Sequence, residues 1–277
     1  MSRRFKIGVV CASSRFSIER ARAVEAWMAA HHPDGDVSVV FHPACFLKHG
    51  HFAGDDRARA EAFVEFANDP RIDAVWFARG GYGACRIAEA VIPRLDAVAR
   101  RKRYLGYSDA GSLLAGMYRA GFAHLAHGPM ASDSIRNDAT AQGALDWLTS
   151  GRSDWIEPSL AQDPRPAVAF NLTILNELTG TALEPDLTGH VLMLEEVSEA
   201  AYRVDRMMFH LTSQDSIRRV AGIRLGRVSD ITPHDPDFGQ TAEEIVRYWC
   251  LRSGISYLGS ADIGHDVANK IVPFGLH

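Results

Sequence analysis

A short apolar stretch that meets a glycine and then a serine, with a helical pattern following at once, constrains this chain more than any other feature. It occupies Arg103-Tyr-Leu-Gly-Tyr-Ser108-Asp-Ala-Gly-Ser112. Tyr104 and Leu105 supply the strand character, and Leu113, Leu114, Met117 and Tyr118 supply the helical spacing. A junction of this kind turns the backbone sharply at the end of a parallel strand and lifts a hydroxyl above the sheet edge. The G-x-S-x-G pattern is matched only as Gly106-Tyr107-Ser108-Asp109-Ala110, with alanine in the last place. A serine at such a point also serves as a helix N-cap. The reactive reading gains from Glu195, which ends the later apolar run Leu192-Met-Leu, and from His265 in a glycine-led loop near the end. Nucleophile, carboxylate and imidazole would then follow in the order Ser, Glu, His.

The same strand-then-helix rhythm runs through the first half. Lys6–Val10, Val37–Phe41, Ala74–Ala78, Tyr104–Tyr107 and His124–His127 read as strands. Between them lie helical patterns from Ser17, from Arg57 to Phe66, from Arg86 to Val91 and up to Arg119. Alternation of this kind implies βαβ units and a mostly parallel sheet flanked by helices. The pattern fades between Thr149 and Pro166, where Gly151-Arg-Ser-Asp and Gln162-Asp-Pro-Arg-Pro166 are turn-rich. We therefore expect an N-terminal α/β domain over residues 1–150, a linker over 151–166, and a second, smaller α/β (α+β) domain over 167–277. The second unit has a helix carrying Leu172, Leu175 and Leu178 that ends at Gly180, a strand at His190–Leu194 and a helix from Tyr202 to Leu211. A strand near Val220–Gly226, a helix from Thr241 to Arg252 and a strand at Ile255–Leu258 complete it.

Composition narrows the function classes. The chain has 277 residues, 47% of them hydrophobic, and a net charge of −4, so it carries no basic footprint for nucleic acid. The one basic cluster, Arg100-Arg-Lys-Arg103, reads as a solvated helix end. No stretch approaches the roughly 18 apolar residues of a membrane span. The basic N-terminus leads into an apolar run too short for a signal peptide and reads as a first strand. Cys11, Cys45, Cys85 and Cys250 share no ligand spacing and read as buried thiols of a reducing compartment. A soluble, cytoplasmic protein without cofactor is expected.

Other residues carry chemistry less decisively. Arg79-Gly80-Gly81-Tyr82-Gly83 lies between a strand and a helix and can present bare backbone N–H groups to an anion. It reads as a phosphate cradle, as an oxyanion hole shared with the N–H of Asp109, or as a tight turn needing positive φ. The Walker lysine is missing and G-x-G-x-x-G is not met. Glu195, Glu196 and Glu199 suit a sheet-edge crevice or a solvated turn. His49-Gly-His51 has no Cys or Glu partner at metal-ligand spacing, and no metal is expected.

Taken in order, these segments resemble the LD-carboxypeptidases, serine peptidases that include murein tetrapeptide carboxypeptidases and microcin-immunity peptidases. The resemblance spans nearly the whole chain. It rests on Ala78-Arg-Gly-Gly-Tyr-Gly83, Gly106-Tyr-Ser-Asp109, His127-Gly-Pro129, Asn171-Leu, and Leu194-Glu-Glu-Val197 with Glu199. Tyr202-Arg-Val-Asp-Arg206 and Gly264-His265 with Pro273-Phe-Gly275 complete it. It implies Ser108 as nucleophile, Glu195 as orienting acid and His265 as base, beside which the glycine loop's Gly80 and Gly81 and the Asp109 N–H stand as the candidate oxyanion hole. It also implies a homodimer that releases D-alanine from murein tetrapeptides during wall recycling, with Arg203 or Arg206 as candidates for the substrate carboxylate or as structural ion-pair partners. The chain departs from the family at Ala169-Phe170, Gly111 and Cys11-Ala-Ser-Ser14, which bears on substrate preference. Two other functions stay open: a peptidase acting on a peptidyl-nucleotide antibiotic, and a non-catalytic module binding a phosphorylated ligand.

Overall fold

The structure is a computed structural model, and it describes residues 4–276. The first half alternates as its sequence implies: β1 (Phe5–Val10), α1 (Ile18–His31), β2 (Val37–Phe41), α2 (Asp56–Asn68), β3 (Ala74–Phe77) and α3 (Ala84–Val91). It continues with β4 (Arg103–Gly106), α4 (Gly111–Arg119), β5 (Leu125–His127), α5 (Ala131–Ser134) and α6 (Asp138–Ser150). The second half contains β6 (Ala167–Asn171), α7 (Leu172–Leu178), β7 (Val191–Val197), α8 (Ala201–Ser213), α9 (Asp215–Arg218), β8 (Gly222–Ser229), α10 (Ala242–Ser253), β9 (Tyr257–Ser260) and β10 (Val272–Pro273).

Two sheets result. One has the order β10-β5-β4-β3-β1-β2 and the other β6-β7-β8-β9. Strands β1 to β5 run parallel, and so do all four strands of the second sheet. The second unit is thus built on a parallel α/β sheet. Helices cover the strands, so Val75, Trp76, Phe77, Tyr104 and Leu105 are buried, as in a parallel sheet packed on both faces. The final strand departs from a simple two-part division. β10 pairs antiparallel with β5, Val272 opposite His127, so the end of the chain returns to the first sheet.

Local sequence accounts for the helix boundaries. Ser17 caps α1 by accepting from the Arg20 N–H, and Asp55 caps α2 from the Ala58 N–H. Thr241 and Glu244 form a reciprocal capping box on α10, which ends at the left-handed Gly254. The basic cluster at 100–103 is only partly the solvated helix end expected. Arg100 donates to Ala120 O after α4, Lys102 to Phe66 O and Asp69 O at the end of α2, and Arg103 to Leu148 O and Thr149 O at the end of α6. Three neighbouring cations therefore satisfy the last carbonyls of three helices other than their own.

In the first sheet the connections leave β1 toward β2 on one side and resume at β3 on the other. The crevice outside the carboxyl ends of β1 and β3 is where open α/β sheets bind ligands. The loops after β1, β3 and β4 meet there.

Candidate active site

Ser108 sits one residue past β4, at the start of a short 3-10 turn (Ser108–Ala110) that runs into α4. Its φ is 57°, a left-handed conformation that costs a non-glycine residue energy and is held only by its surroundings. Those surroundings are visible. The Asp109 carboxylate accepts from the Ala84 N–H at 2.8 Å and from the Ser13 hydroxyl, tying the turn to the loops after β3 and β1. Arg59, fully buried, donates to Ala12 O and to Gly83 O (2.9 Å) and so clamps the same two loops together.

The glycine loop comes directly against the serine. A Cβ on Gly80 would stand 2.7 Å from Ser108 Oγ, so only glycine lets the backbone approach this closely. Gly81 has a φ of 127° and faces Ser14. The backbone N–H groups of Gly80, Gly81 and Asp109 have no hydrogen-bond partner among the described residues.

The second sheet supplies the other groups. Glu195 and Glu196 are adjacent residues of β7, and both are buried. Successive strand side chains point to opposite faces, and the β7–β8 register shifts at this point, so the two carboxylates serve different purposes. Glu196 accepts from Asn171 Nδ2, the Thr173 N–H and the Thr173 hydroxyl, fixing the start of α7. Glu195 Oε2 lies 2.5 Å from His265 Nδ1, and His265 Nε2 lies 3.1 Å from Ser108 Oγ. The carboxylate accepts, so Nδ1 carries the proton. Nε2 is left with a lone pair aimed at the hydroxyl, the arrangement a general base requires.

The loop that carries His265 is anchored on both sides. Asn269 Oδ1 accepts the Gly264 N–H at 3.1 Å and lies 3.2 Å from His127 Nε2. Because Gly264 can only donate, Oδ1 is the acceptor, and His127 must donate from Nε2. Burial holds His127 down to about 3, so it stays neutral. Arg227 pairs with Asp262 at 2.5 Å and with Asp266 across the outside of the loop. The Tyr107 ring lies between the two histidines, 4.9 Å from His265 and 5.4 Å from His127.

Electrostatics favour the charged pair that transfer of the serine proton would create. Burial works against the imidazolium of His265, but the hydrogen bond and charge of Glu195 outweigh it, helped by Glu196 and Asp133. Its pKa therefore lies above the ordinary histidine value. Burial raises the Glu195 carboxyl and His265 pulls it back, so the two titrate as a pair. Burial likewise raises Asp109, against the hydrogen bonds it accepts from Ser13, Ala84 and Gly83.

Ser108, Glu195 and His265 thus meet from three distant segments, with Gly80 against the Ser108 hydroxyl, Asp109 next to it in sequence, and Gly81 facing Ser14 instead. Arg203 and Arg206 lie elsewhere. Arg203 pairs with Glu199 at 2.6 Å and Arg206 lies over the Tyr202 ring, on a cavity lined by residues of α7 and α8. His51 is bonded to Ser14 Oγ at 3.0 Å, and His49 pairs through its backbone with Phe52. Among the described residues no group of three His, Cys, Asp or Glu side chains could hold a metal. Cys11, Cys45 and Cys250 are buried, whereas Cys85 is only half-buried. Sequence reading did not find the buttressing roles of Arg59, Ser13, His127 and Asn269. His127-Gly-Pro129 was visible as a motif, but only its contact with Asn269, 142 residues away, gives it a task.

Comparison with known proteins places the chain in a family. The profile of the LD-carboxypeptidase N-terminal domain matches residues 7–128, and that of the LD-carboxypeptidase C-terminal domain matches residues 166–277. A Synechocystis protein bearing the provisional name of carboxypeptidase is 30% identical over 245 residues, 86% of this chain and 79% of its own length. The murein tetrapeptide carboxypeptidase of Pseudomonas aeruginosa is 26% identical over 256 residues, 82% of this chain and 78% of its own. Among solved structures, the muramoyltetrapeptide carboxypeptidase of Oxalobacter formigenes superposes with a TM-score of 0.82 at 23% identity, covering 98% of this chain and 92% of that one. The microcin C7 self-immunity protein MccF gives a TM-score of 0.80 at 18% identity, covering 99% and 92%. Both structural likenesses are likenesses of fold.

Proposed function

Because this chain belongs to the LD-carboxypeptidase family, we propose that it is a serine carboxypeptidase that hydrolyses the L-to-D bond releasing terminal D-alanine from murein tetrapeptides. In this reading Ser108 is the nucleophile, His265 the general base and Glu195 the group that orients and stabilises it. The observation that carries it is the continuous hydrogen-bonded chain from Ser108 Oγ through His265 to the buried Glu195.

The chemistry follows from the proton positions. His265 Nε2 takes the serine proton as Oγ attacks the scissile carbonyl, and Glu195 offsets the charge that appears on the ring. The oxygen that becomes negative needs donors already in place, and the Gly80, Gly81 and Asp109 N–H groups are the candidates, since Gly80 packs against the Ser108 hydroxyl and none of the three is otherwise bonded among the described residues. His265 then protonates the departing D-alanine amine. A water activated by the same ring hydrolyses the acyl-serine and regenerates Ser108. No step requires a metal.

The division into units at 1–150 and 167–277 belongs to the same proposal, with the nucleophile in the first and the acid and base in the second. So do a cytoplasmic place in wall recycling and a homodimeric assembly. No helix among the described residues is long and apolar enough to cross a membrane. A phosphate-binding module would leave the Ser-His-Glu chain without a task, and the MccF likeness adds no argument for a peptidyl-nucleotide substrate.

Mass spectrometry of murein tri-, tetra- and pentapeptides after incubation tests the proposal. The tetrapeptide should lose one D-alanine, with or without EDTA. Equal cleavage of tetrapeptides ending in L-alanine or an amide would sink it, as would inactivation by chelation that zinc reverses.

A further inference from the structure

Ser108 lies beyond the carboxyl end of β4, and a cavity of about 530 Å³ opens at the opposite, amino end of the same strand. Arg103 and Leu125, the first residues of β4 and β5, line it. The end of α6, the 3-10 turn at Pro158–Gln162 and the segment 273–276 close the other sides. Its volume is that of a small-molecule site. Leu125, Leu160 and Phe274 are buried and give it apolar walls.

The polar groups of the lining are unevenly matched. Glu157 is the one acid among the described residues there, and it is buried and already engaged. One of its carboxylate oxygens accepts the Asp262 N–H, and the other accepts the Ser159 N–H and hydroxyl. The donors are not engaged. Trp147 is 3% exposed and lines the cavity, yet its indole N–H has no hydrogen-bond partner among the described residues. A buried indole N–H ordinarily finds a partner, and those of Trp27, Trp76, Trp155 and Trp249 each donate to an oxygen. Arg152 and His124 line the cavity from exposed positions, and their side chains have no partner among the described residues either. Arg103 Nη1 donates to Leu148 O and Thr149 O, which offsets the negative end that α6 would set against an anion. The Nε and Nη2 donors of Arg103 stay without a partner among the described residues.

Two arginines, a histidine and an unpaired indole donor thus surround apolar walls, and no uncommitted acid faces them. We infer that this cavity binds a small organic monocarboxylate with an apolar body, aromatic or medium-chain aliphatic. The body lies along Leu125, Leu160 and Phe274, and the carboxylate meets the arginine donors and the Trp147 N–H. A planar guanidinium matches a carboxylate with two parallel hydrogen bonds. A phosphate ester would bring a second charge against apolar walls, and a neutral ligand would leave the cations unmatched. Because this cavity and Ser108 lie at opposite ends of β4, its ligand does not compete with a substrate at the serine. The inference is therefore independent of the carboxypeptidase reading.

Calorimetry on the whole protein tests it, with 3-phenylpropanoate as the probe and 3-phenylpropanamide as its uncharged counterpart. The carboxylate should bind with a Kd below about 1 mM, and about tenfold or more tighter than the amide. Arg152→Gln with His124→Gln should bring that ratio toward one, and as changes at exposed positions they should leave the melting temperature in place. Ala161→Trp fills the cavity and should abolish binding of both probes; where it fails to fold, the charge variants decide. Ser108→Ala should bind the carboxylate as the wild type does. The assignment is overturned by a carboxylate that has not saturated the protein at about 10 mM, by an amide that binds as tightly, or by a ratio unchanged in the charge variants. Binding that persists in a folded Ala161→Trp, or that is lost in Ser108→Ala, would place the ligand elsewhere and overturn it as well.

Discussion

Ser108 is placed by a backbone turn that its neighbours in sequence dictate and that the Asp109 carboxylate ties to Ser13 and Ala84, whereas His265 is oriented by a side chain from far along the chain. A strand, a glycine, a strained serine and a helix start make the first half of the site, and the glycine loop presses on it with bare backbone. In the second half, His265 depends on Glu195, 70 residues away, and its loop on the contact between His127 and Asn269. A backbone-built half is rigid and intolerant of added atoms. A half built from side-chain hydrogen bonds fails gradually, as each anchor is removed.

The largest effects should come where the halves touch. Ser108→Ala or His265→Ala should lower kcat by about 10⁴-fold or more, and combining them should cost little more than either alone, because the pair acts as one unit. Single-turnover rates together with unfolding curves measure this. If the double variant lost the sum of the two barrier increments, the halves would be working independently.

How legible each half was follows from the same contrast. The strand-to-helix turn at 103–112 and the loop at 79–83 could be read because their information is local: a few residues dictate the backbone. Glu195 was visible as the acid ending an apolar run, and His265 only as one of 12 histidines, marked out by its glycine-led loop; it was resemblance to known peptidases that gave the two their roles. Arg59 looks like any helical surface arginine, and nothing within a few residues of it says that it will be buried against Ala12 and Gly83. The return of Val272–Pro273 to the first sheet was also hidden, since a two-residue strand has no periodicity to detect.

A matched pair of substitutions probes intolerance against gradual failure. Gly80→Ala puts a Cβ 2.7 Å from Ser108 Oγ, and displacing the nucleophile by even 1 Å should cost about 100-fold in kcat. Its melting temperature should change little, since the added methyl meets side-chain atoms of Ser108 and Met130 rather than backbone. Asn269→Ala should cost only about tenfold in kcat, because Glu195 still holds the ring. It should also cost about 1–3 kcal/mol of stability, since the Gly264 and His127 donors it satisfied stay buried. Steady-state kinetics beside denaturant melts would show the contrast to be wrong if Gly80→Ala were the more destabilised and the more active of the two.

The smallest expected effect is a displacement of a pH profile, and it tests whether Glu195 governs the base electrostatically. His265 must be neutral to take the serine proton, so kcat/KM rises with pH as the ring loses its own proton. Burial alone would hold the ring below the ordinary value of about 6.5, and the Glu195 charge reverses that sign. The acidic limb of the wild type should therefore have its midpoint above 6.5. Glu195→Gln removes the charge and keeps the shape and the burial. The midpoint of its residual activity should fall below that of the wild type, with burial now opposed only by the charges of Glu196 and Asp133. The measurement is kcat/KM from about pH 5 to 9 in buffers of constant ionic strength, with a substrate that does not titrate in that range. An unchanged midpoint would mean that Glu195 only positions the ring. The second half of the site would then resemble the first, working by geometry alone.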